Sequence, residues 1–267
     1  MANQNKCCPD NIETSNMEKC DIFHFMANVV GLTVLHPGGF KATDELAELC
    51  KISKDTHILD IACGKGTSAY YFAKKFGCQV TGFDISEDLI NQAKKLAERK
   101  GFEAKLNFKV ANAENLPFSD NSFDVSIFQA VLILVENKKQ AIKEAVRVTK
   151  PGGYIGFLEM TWQKQPTESF LKEAAEKMCP ICIGNIRTYE GWKELIFNQG
   201  LKEVITKKYK MRNPNLIKDE GISNAVKVMS KWLFNPRIRN RMNEVDNLFE
   251  KYSEYFGYGI YVGQKSG

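Results

Sequence analysis

Between residues 56 and 160 the chain alternates short apolar runs with longer stretches whose apolar residues return every three or four positions. The short runs, 56–62, 78–84, 106–110, 123–128 and 154–160, are too brief for helices and are closed by Gly, Pro or polar residues, so they predict buried strands. The longer stretches predict helices over 69–76, 87–100 and 138–149. In the second, Leu89, Ile90, Ala93, Leu96 and Ala97 share one face, Ser86 supplies an N-cap, Glu87 and Asp88 fill the first turn, and Gly101 ends it. Strands alternating with helices in this way specify a mainly parallel sheet covered on both faces, joined by right-handed crossovers.

The pattern differs on either side of this block. Phe23, Phe25, Met26, Val29 and Val30 recur at helical spacing within 22–35, and Pro37, Gly38 and Gly39 break the run. A helix is expected to restart with Thr43 as N-cap, Asp44 and Glu45 in its first turn, and Leu46, Leu49 and Cys50 buried. This lobe precedes the first strand closely enough to close over a ligand. Beyond Trp162, helices are expected over 168–178 and 189–198, a strand over 201–211, and a last strand over 257–264 with Tyr258, Ile260 and Val262 alternating. Two helical stripes lie between these strands, separated by Asn235 and Pro236: Ile222, Val226, Met229, Leu233, then Ile238, Met242, Val245, Phe249, Tyr252. With Trp232 and Tyr255 they read as core packing against the sheet, some of it available to line an acceptor pocket. An insertion this long in what would otherwise be a hairpin points to a lid or binding element.

Composition narrows the partners. At 267 residues and 43% hydrophobic the chain can bury one sizeable core with additions. The net charge of +5 is mild, and the basic runs at 207–210 and 237–241 are short and interrupted, which argues against nucleic acid. Residues 1–16 are polar and lack the layout of a signal peptide, so a cytoplasmic protein is expected. The longest nearly apolar run, 125–135, falls well short of the roughly 20 residues that cross a bilayer. Eight cysteines without a secretory pattern are expected to be reduced thiols.

The candidate chemistry lies where the first strand ends. Asp60, Ile61, Ala62, Cys63, Gly64, Lys65, Gly66 and Thr67 read as strand, tight glycine turn and helix start, a place where backbone N–H groups and close approach suit a small ligand. Alone, Gly64 to Ala69 fits the dinucleotide fingerprint with Asp84 as the ribose acid, which an NAD-dependent dehydrogenase would share. Asp60, the loop, Asp84, the stretch 111–124 and the stretch 147–153 (Arg-Val-Thr-Lys-Pro-Gly-Gly) occur in one order, however. Together they resemble the class I S-adenosylmethionine-dependent methyltransferases, in the small-molecule branch with a type 11 methyltransferase domain that includes the quinone-ring and sterol enzymes.

That resemblance implies a Rossmann-like, doubly wound α/β fold. Its seven-stranded sheet has an antiparallel last strand, an N-terminal helical lid and a helical insertion before that strand. The expected division is 1–50 tail and lid, 51–212 core, 213–256 insertion and 257–267 final strand. S-adenosylmethionine is the implied cofactor, held by Asp60, Ala62, Cys63, Gly64, Gly66, Asp84, Ile85, Asn112, Ala113 and Gln129. Residues 62–66 would face the methionine moiety, Asp84 both ribose hydroxyls, Ile85 the adenine ring, and Asn112 and Ala113 the adenine amino edge. Gln129 would line the cofactor or the acceptor. The family usually carries glycine at Ala62 and an acid at Asn112.

Methyl transfer from a sulfonium needs alignment and exclusion of water more than a dedicated base. No residue is assigned as catalytic; His36, Glu159, Tyr189 and Tyr258 are candidates should the acceptor have to lose a proton, and His57 reads as structural. The expected activity is methyl transfer to a small-molecule acceptor at O, N or C, with oligomeric state open. One alternative is methylation of thiol-bound arsenite, since 131–140 looks like the arsenite enzymes and Cys7, Cys8, Cys20, Cys50, Cys179 and Cys182 could supply thiolates. Against it, Gln129 stands where those enzymes carry a cysteine, and Cys63 and Cys78 look like packing residues. An RNA methyltransferase would need a basic face, a non-catalytic S-adenosylmethionine-binding regulator is a further reading, and no metal site is expected.

Overall fold

A computed structural model describes Ile22 and residues 25–178, 180–211 and 216–267. The expectations for residues 1–16, Phe23, Cys7, Cys8, Cys20 and Cys179 lie outside them. In chain order the elements are a wide helical turn Phe25–Val30, α1 Gly39–Leu49, β1 His57–Ile61, α2 Thr67–Phe76, β2 Gln79–Asp84, α3 Glu87–Lys100, β3 Leu106–Val110, β4 Phe123–Gln129, α4 Lys138–Val148 and β5 Thr149–Trp162. There follow α5 Glu168–Lys177, α6 Pro180–Asn185, β6 Arg187–Thr188, α7 Tyr189–Phe197, β7 Leu201–Lys210, α8 Leu216–Phe234, α9 Pro236–Lys251 and β8 Phe256–Lys265.

The sheet runs β3-β2-β1-β4-β5-β8-β7. β1 to β5 are parallel, β8 is antiparallel to both β5 and β7, and the two-residue β6 adds a parallel fringe to β5. The expected seven strands are thus present and β6 makes an eighth. Strand order reverses between β1 and β4, the switch point outside which open α/β sheets hold ligands.

Alternation along the strands separates two cores. Ile58, Val80, Val125, Ile127, Leu158 and Ile260 face α1, α2 and α3. Leu59, Ile61, Phe83, Phe128, Phe157 and Tyr261 face α4, α5, α7 and α9. Ser86 caps α3 as expected, its side chain accepting from the Leu89 N–H.

Two local readings are corrected. Helix α1 begins at Gly39, not after Thr43: Gly38 and Gly39 adopt φ of 79° and 57°, turning the chain a full turn earlier, and Phe40 N–H is capped by Asp219 Oδ1 at 3.1 Å. Thr43 is therefore buried inside the helix. The stripe on α8 is not core either. Ala225 and Val228 are buried, whereas Ile222, Val226, Met229 and Leu233 are exposed, because the helix lies against the N-terminal segment through the other face. On α9, Ile238, Val245 and Leu248 do enter the core. Among the described residues no helix is long and apolar enough to cross a membrane.

Candidate active site at the carboxyl ends of β1, β2 and β4

The loop after β1 is built from left-handed backbone. Ala62, Gly64 and Gly66 have φ of 54°, 55° and 76°. Ala62 therefore occupies a conformation that glycine adopts without cost, which accounts for the family's preference there. Gly66 is the N-cap of α2; a Cβ there would lie 2.8 Å from Phe108 and 2.9 Å from Ala93. A Cβ on Gly64 would meet nothing within 4 Å, so this residue forms the open floor of a cradle. Cys63 N–H donates to Phe83 O at 2.8 Å and ties the loop to β2.

Asp84 ends β2 and organises both loops. Its Oδ2 accepts from Gly64 N–H at 3.0 Å and its Oδ1 from Ser86 N–H at 3.0 Å. A carboxylate has about four lone-pair directions, so each oxygen keeps room for another donor. Burial raises the Asp84 pKa, and the backbone N–H groups act against that rise. Asp60, 2% exposed, lies behind it; burial and then the Asp84 charge push its pKa up to about 7, and its Oδ2 has no hydrogen-bond partner. Next to Asp84, Ile85 leaves an apolar side chain 73% exposed. An open glycine floor, a carboxylate with spare acceptor capacity, an orphaned buried oxygen and an uncovered apolar side chain fit a nucleoside carrying a polar tail. Asn112 is less available: its Oδ1 accepts from Glu114 N–H at 2.9 Å and shapes the loop after β3. Ala113 beside it is half-buried.

A polar chain runs beneath the lid from the end of β4. Gln129 Nε2 donates to Thr43 Oγ1 at 2.9 Å, and Thr43 lies 3.3 Å from His36 Nε2. His36 Nδ1 is 3.4 Å from Pro37 O, which can only accept, so Nδ1 carries the proton and Nε2 accepts from the Thr43 hydroxyl. Burial lowers the His36 pKa to about 4, so the ring is neutral at pH 7. Gln129 Oε1 is buried without a partner.

Glu159 lies deeper. Its Oε1 accepts from Val131 N–H at 3.0 Å and Leu132 N–H at 2.9 Å, holding the turn that Ala130 enters with φ 57°. It thus positions the loop after β4. Burial raises its pKa to about 7. The folded state keeps this proton up to that pH, whereas an unfolded chain releases it near 4.5. Stability from the protonated form is complete below the lower value and lost as pH rises to the higher, a loss on the order of 3 kcal/mol. Asp60 adds a loss of the same sign. Glu159→Gln is expected to remove the Glu159 share, seen as a flatter dependence of urea midpoints between about pH 4.5 and about pH 7.

The lid is clamped from two directions that sequence reasoning did not find. Glu220 Oε1 accepts from Thr33 N–H at 2.8 Å and Val34 N–H at 3.1 Å, and Oε2 accepts from Thr33 Oγ1 at 2.8 Å. Lys231 Nζ donates to Val29 O at 2.7 Å, and Lys65, in the glycine loop itself, donates to Ala27 O at 2.7 Å. Lid, glycine loop and insertion are therefore one hydrogen-bonded unit. Glu220→Ala should speed hydrogen exchange at Thr33 and Val34 by about 10- to 100-fold, the worth of two charge-assisted bonds; unchanged rates would show that the lid is held elsewhere.

The other singled-out residues fall away from this crevice. His57 sits at the amino end of β1, its N–H on Asp124 and its ring 2.9 Å from Thr81 Oγ1. Tyr189 donates to Thr206 on β7 at 2.6 Å. Tyr258 stacks on Tyr209 at 4.9 Å and underlies Gly38. The stretches 111–124 and 147–153 serve largely to bind one another: Arg147 reaches Leu116 O, Phe118 O, Asp120 and Glu144, and Lys150 pairs with Asp124. Cys50, Cys63 and Cys78 are free thiols that burial pushes upward in pKa, Cys78 to about 11, so they are poor thiolate ligands. Cys182 is disulfide-bonded, against the expectation of reduced thiols throughout.

The methyltransferase domain family matches residues 52–212, spanning β1 through β7 and hence the whole cradle. The chain belongs to that family. An uncharacterized protein of Haemophilus influenzae is 35% identical over 218 residues, 80% of this chain and 86% of its own length. A ubiquinone/menaquinone biosynthesis C-methyltransferase of Rickettsia felis is 40% identical over 124 residues, 45% of this chain; the match spans about half of that enzyme, 49%. Among solved structures, an S-adenosylmethionine-dependent methyltransferase from Thiobacillus denitrificans, in complex with S-adenosylhomocysteine, superposes with a TM-score of 0.69. It is 21% identical, with 92% of this chain and all of that chain covered. The family domain and this shared fold bear out the resemblance to class I methyltransferases.

Proposed function

We propose that this methyltransferase carries methyl from S-adenosylmethionine to a small organic acceptor bound between the cradle and the lid. The reading rests chiefly on Asp84, which holds Gly64 and Ser86 while keeping acceptor capacity beside the uncovered Ile85. When bound, S-adenosylmethionine supplies an electrophilic methyl on a sulfonium. Gly64 and Gly66 allow close approach to the main chain, Asp84 accepts the ribose hydroxyls, and Ile85 covers one face of the adenine. Asp60, Ala62 and Cys63 shape the methionine end, and Ala113 lines the adenine edge. Asn112 supports that edge by fixing its own turn rather than through its committed oxygen.

On the acceptor side, Gln129 Oε1 is the free lone pair at the end of β4. It suits a hydroxyl or amine donor on the acceptor. Neutral His36, whose Nε2 accepts from Thr43, fixes Gln129 through the Thr43 hydroxyl. The closed lid excludes water and aligns acceptor with methyl, which supplies much of the rate for an in-line displacement.

Two measurements test the reading. Calorimetry should show binding of S-adenosylmethionine and of its demethylated product; absence of both would end it. Extracts incubated with methyl-labelled cofactor should yield a labelled small molecule by mass spectrometry. Binding without any labelled product would favour a regulator, and labelled RNA or arsenic would redirect the acceptor.

A further inference from the structure

Monomeric proteins rarely leave a continuous apolar face in water, yet α8 does. Beyond the break at Gly221, where φ is 72° and ψ 158°, Ile222, Val226, Met229 and Leu233 recur at spacings of four, three and four and form one stripe. They are 74%, 60%, 52% and 51% exposed, and Phe234 at the end of the helix is 84% exposed. The opposite face holds Ala225, Val228 and the lid contacts of Glu220 and Lys231, so the stripe is not waiting for the lid.

The charges around the stripe are of one sign. In sequence, Lys218 precedes the stripe, Lys227 stands on the same helix and Arg237 and Arg239 follow it, with Arg239 over the Trp232 ring at 6.0 Å and donating to Leu233 O. The acids of this segment, Asp219 and Glu220, turn inward onto the N–H groups of Phe40, Thr33 and Val34. An apolar stripe with Trp and Phe at its end and a basic border is the pattern of a helix that lies in a membrane interface. A symmetric contact between two copies would bring this basic border against itself.

We infer that the exposed face of α8 docks this enzyme on an anionic phospholipid surface, with the stripe in the acyl boundary and the basic residues at the headgroups. The helix that docks also clamps the lid through Glu220 and Lys231, so docking and the position of the lid would be coupled. The docking itself does not depend on which acceptor is used or on turnover.

The test is cosedimentation of the full chain with vesicles of phosphatidylglycerol in phosphatidylcholine, against phosphatidylcholine alone. Wild-type protein should bind the anionic vesicles, less so as salt is raised. Val226→Asp with Met229→Asp, both at exposed positions, should weaken binding on the order of a hundredfold from two lost burials. Lys227→Gln, which leaves the stripe intact, should weaken it by about fivefold and serves as the measure if the double variant does not fold. No binding of wild-type protein at low salt would overturn the inference, as would equal binding by the variants. A solution dimer dissolved by the double variant would assign the face to a second copy instead.

Discussion

Asp84→Ala is expected to weaken S-adenosylmethionine binding by about a hundredfold, roughly 3 kcal/mol, in calorimetric titration. Two losses combine. The ribose hydroxyls lose a charged acceptor, and Gly64 N–H and Ser86 N–H, each 3.0 Å from a carboxylate oxygen, lose the group that fixes the loops on either side of the cofactor. Asp84→Asn should be intermediate, because the amide keeps one oxygen and presents an N–H to one of the two backbone donors. Asp60 sharpens the expectation: with Asp84 neutralised, one cause of its raised pKa disappears. An unchanged affinity in Asp84→Ala would mean that the ribose site lies elsewhere on the fold.

Gly66→Ala should cost about 3 kcal/mol of folding stability, read from urea unfolding. The φ of 76° is strained for any L side chain, and the new Cβ would press on the Phe108 ring and the Ala93 methyl, both in the core beneath α2 and α3. Gly64→Ala is the control. Its φ of 55° carries only the backbone cost of about 1 kcal/mol, and its Cβ enters open space, where the proposed cofactor would lie. Gly64→Ala should therefore lose cofactor affinity while keeping most of its stability, whereas Gly66→Ala loses both. Equal destabilisation by the two substitutions would contradict this division of roles.

The two glycines illustrate what a linear pattern conveys. Their spacing marks a tight turn after a strand, because strand, turn and helix start are contiguous in sequence. That one glycine is needed to clear Phe108 and Ala93 while the other faces open space depends on β3 and α3, which arrive from elsewhere in the chain. Thr43 is a similar case. Followed by Asp44 and Glu45 it has the local signature of an N-cap, yet Asp219 reaches across from the insertion to cap Phe40, and Thr43 becomes the buried link between His36 and Gln129. Glu159 carries no local sign of its role. As an acid ending a strand it resembles a catalytic base, and only the turn at 130–132 folding back over it makes it the anchor of Val131 and Leu132.

The apolar stripe on α8 marks the limit most plainly. Its periodicity correctly announces a helix with one apolar face, since period is a property of neighbouring residues alone. Periodicity does not say what covers that face, and in the fold the helix turns Ala225 and Val228 inward instead. By itself the sequence determined the alternation of strands and helices, the glycine cradle, the acid that closes it and the family, all of which are written in short-range order. The tertiary structure alone decided the lid clamp, the β6 fringe, the His36–Thr43–Gln129 chain and the exposure of α8. Each depends on residues far apart in the chain, and their meeting is fixed by how whole elements pack.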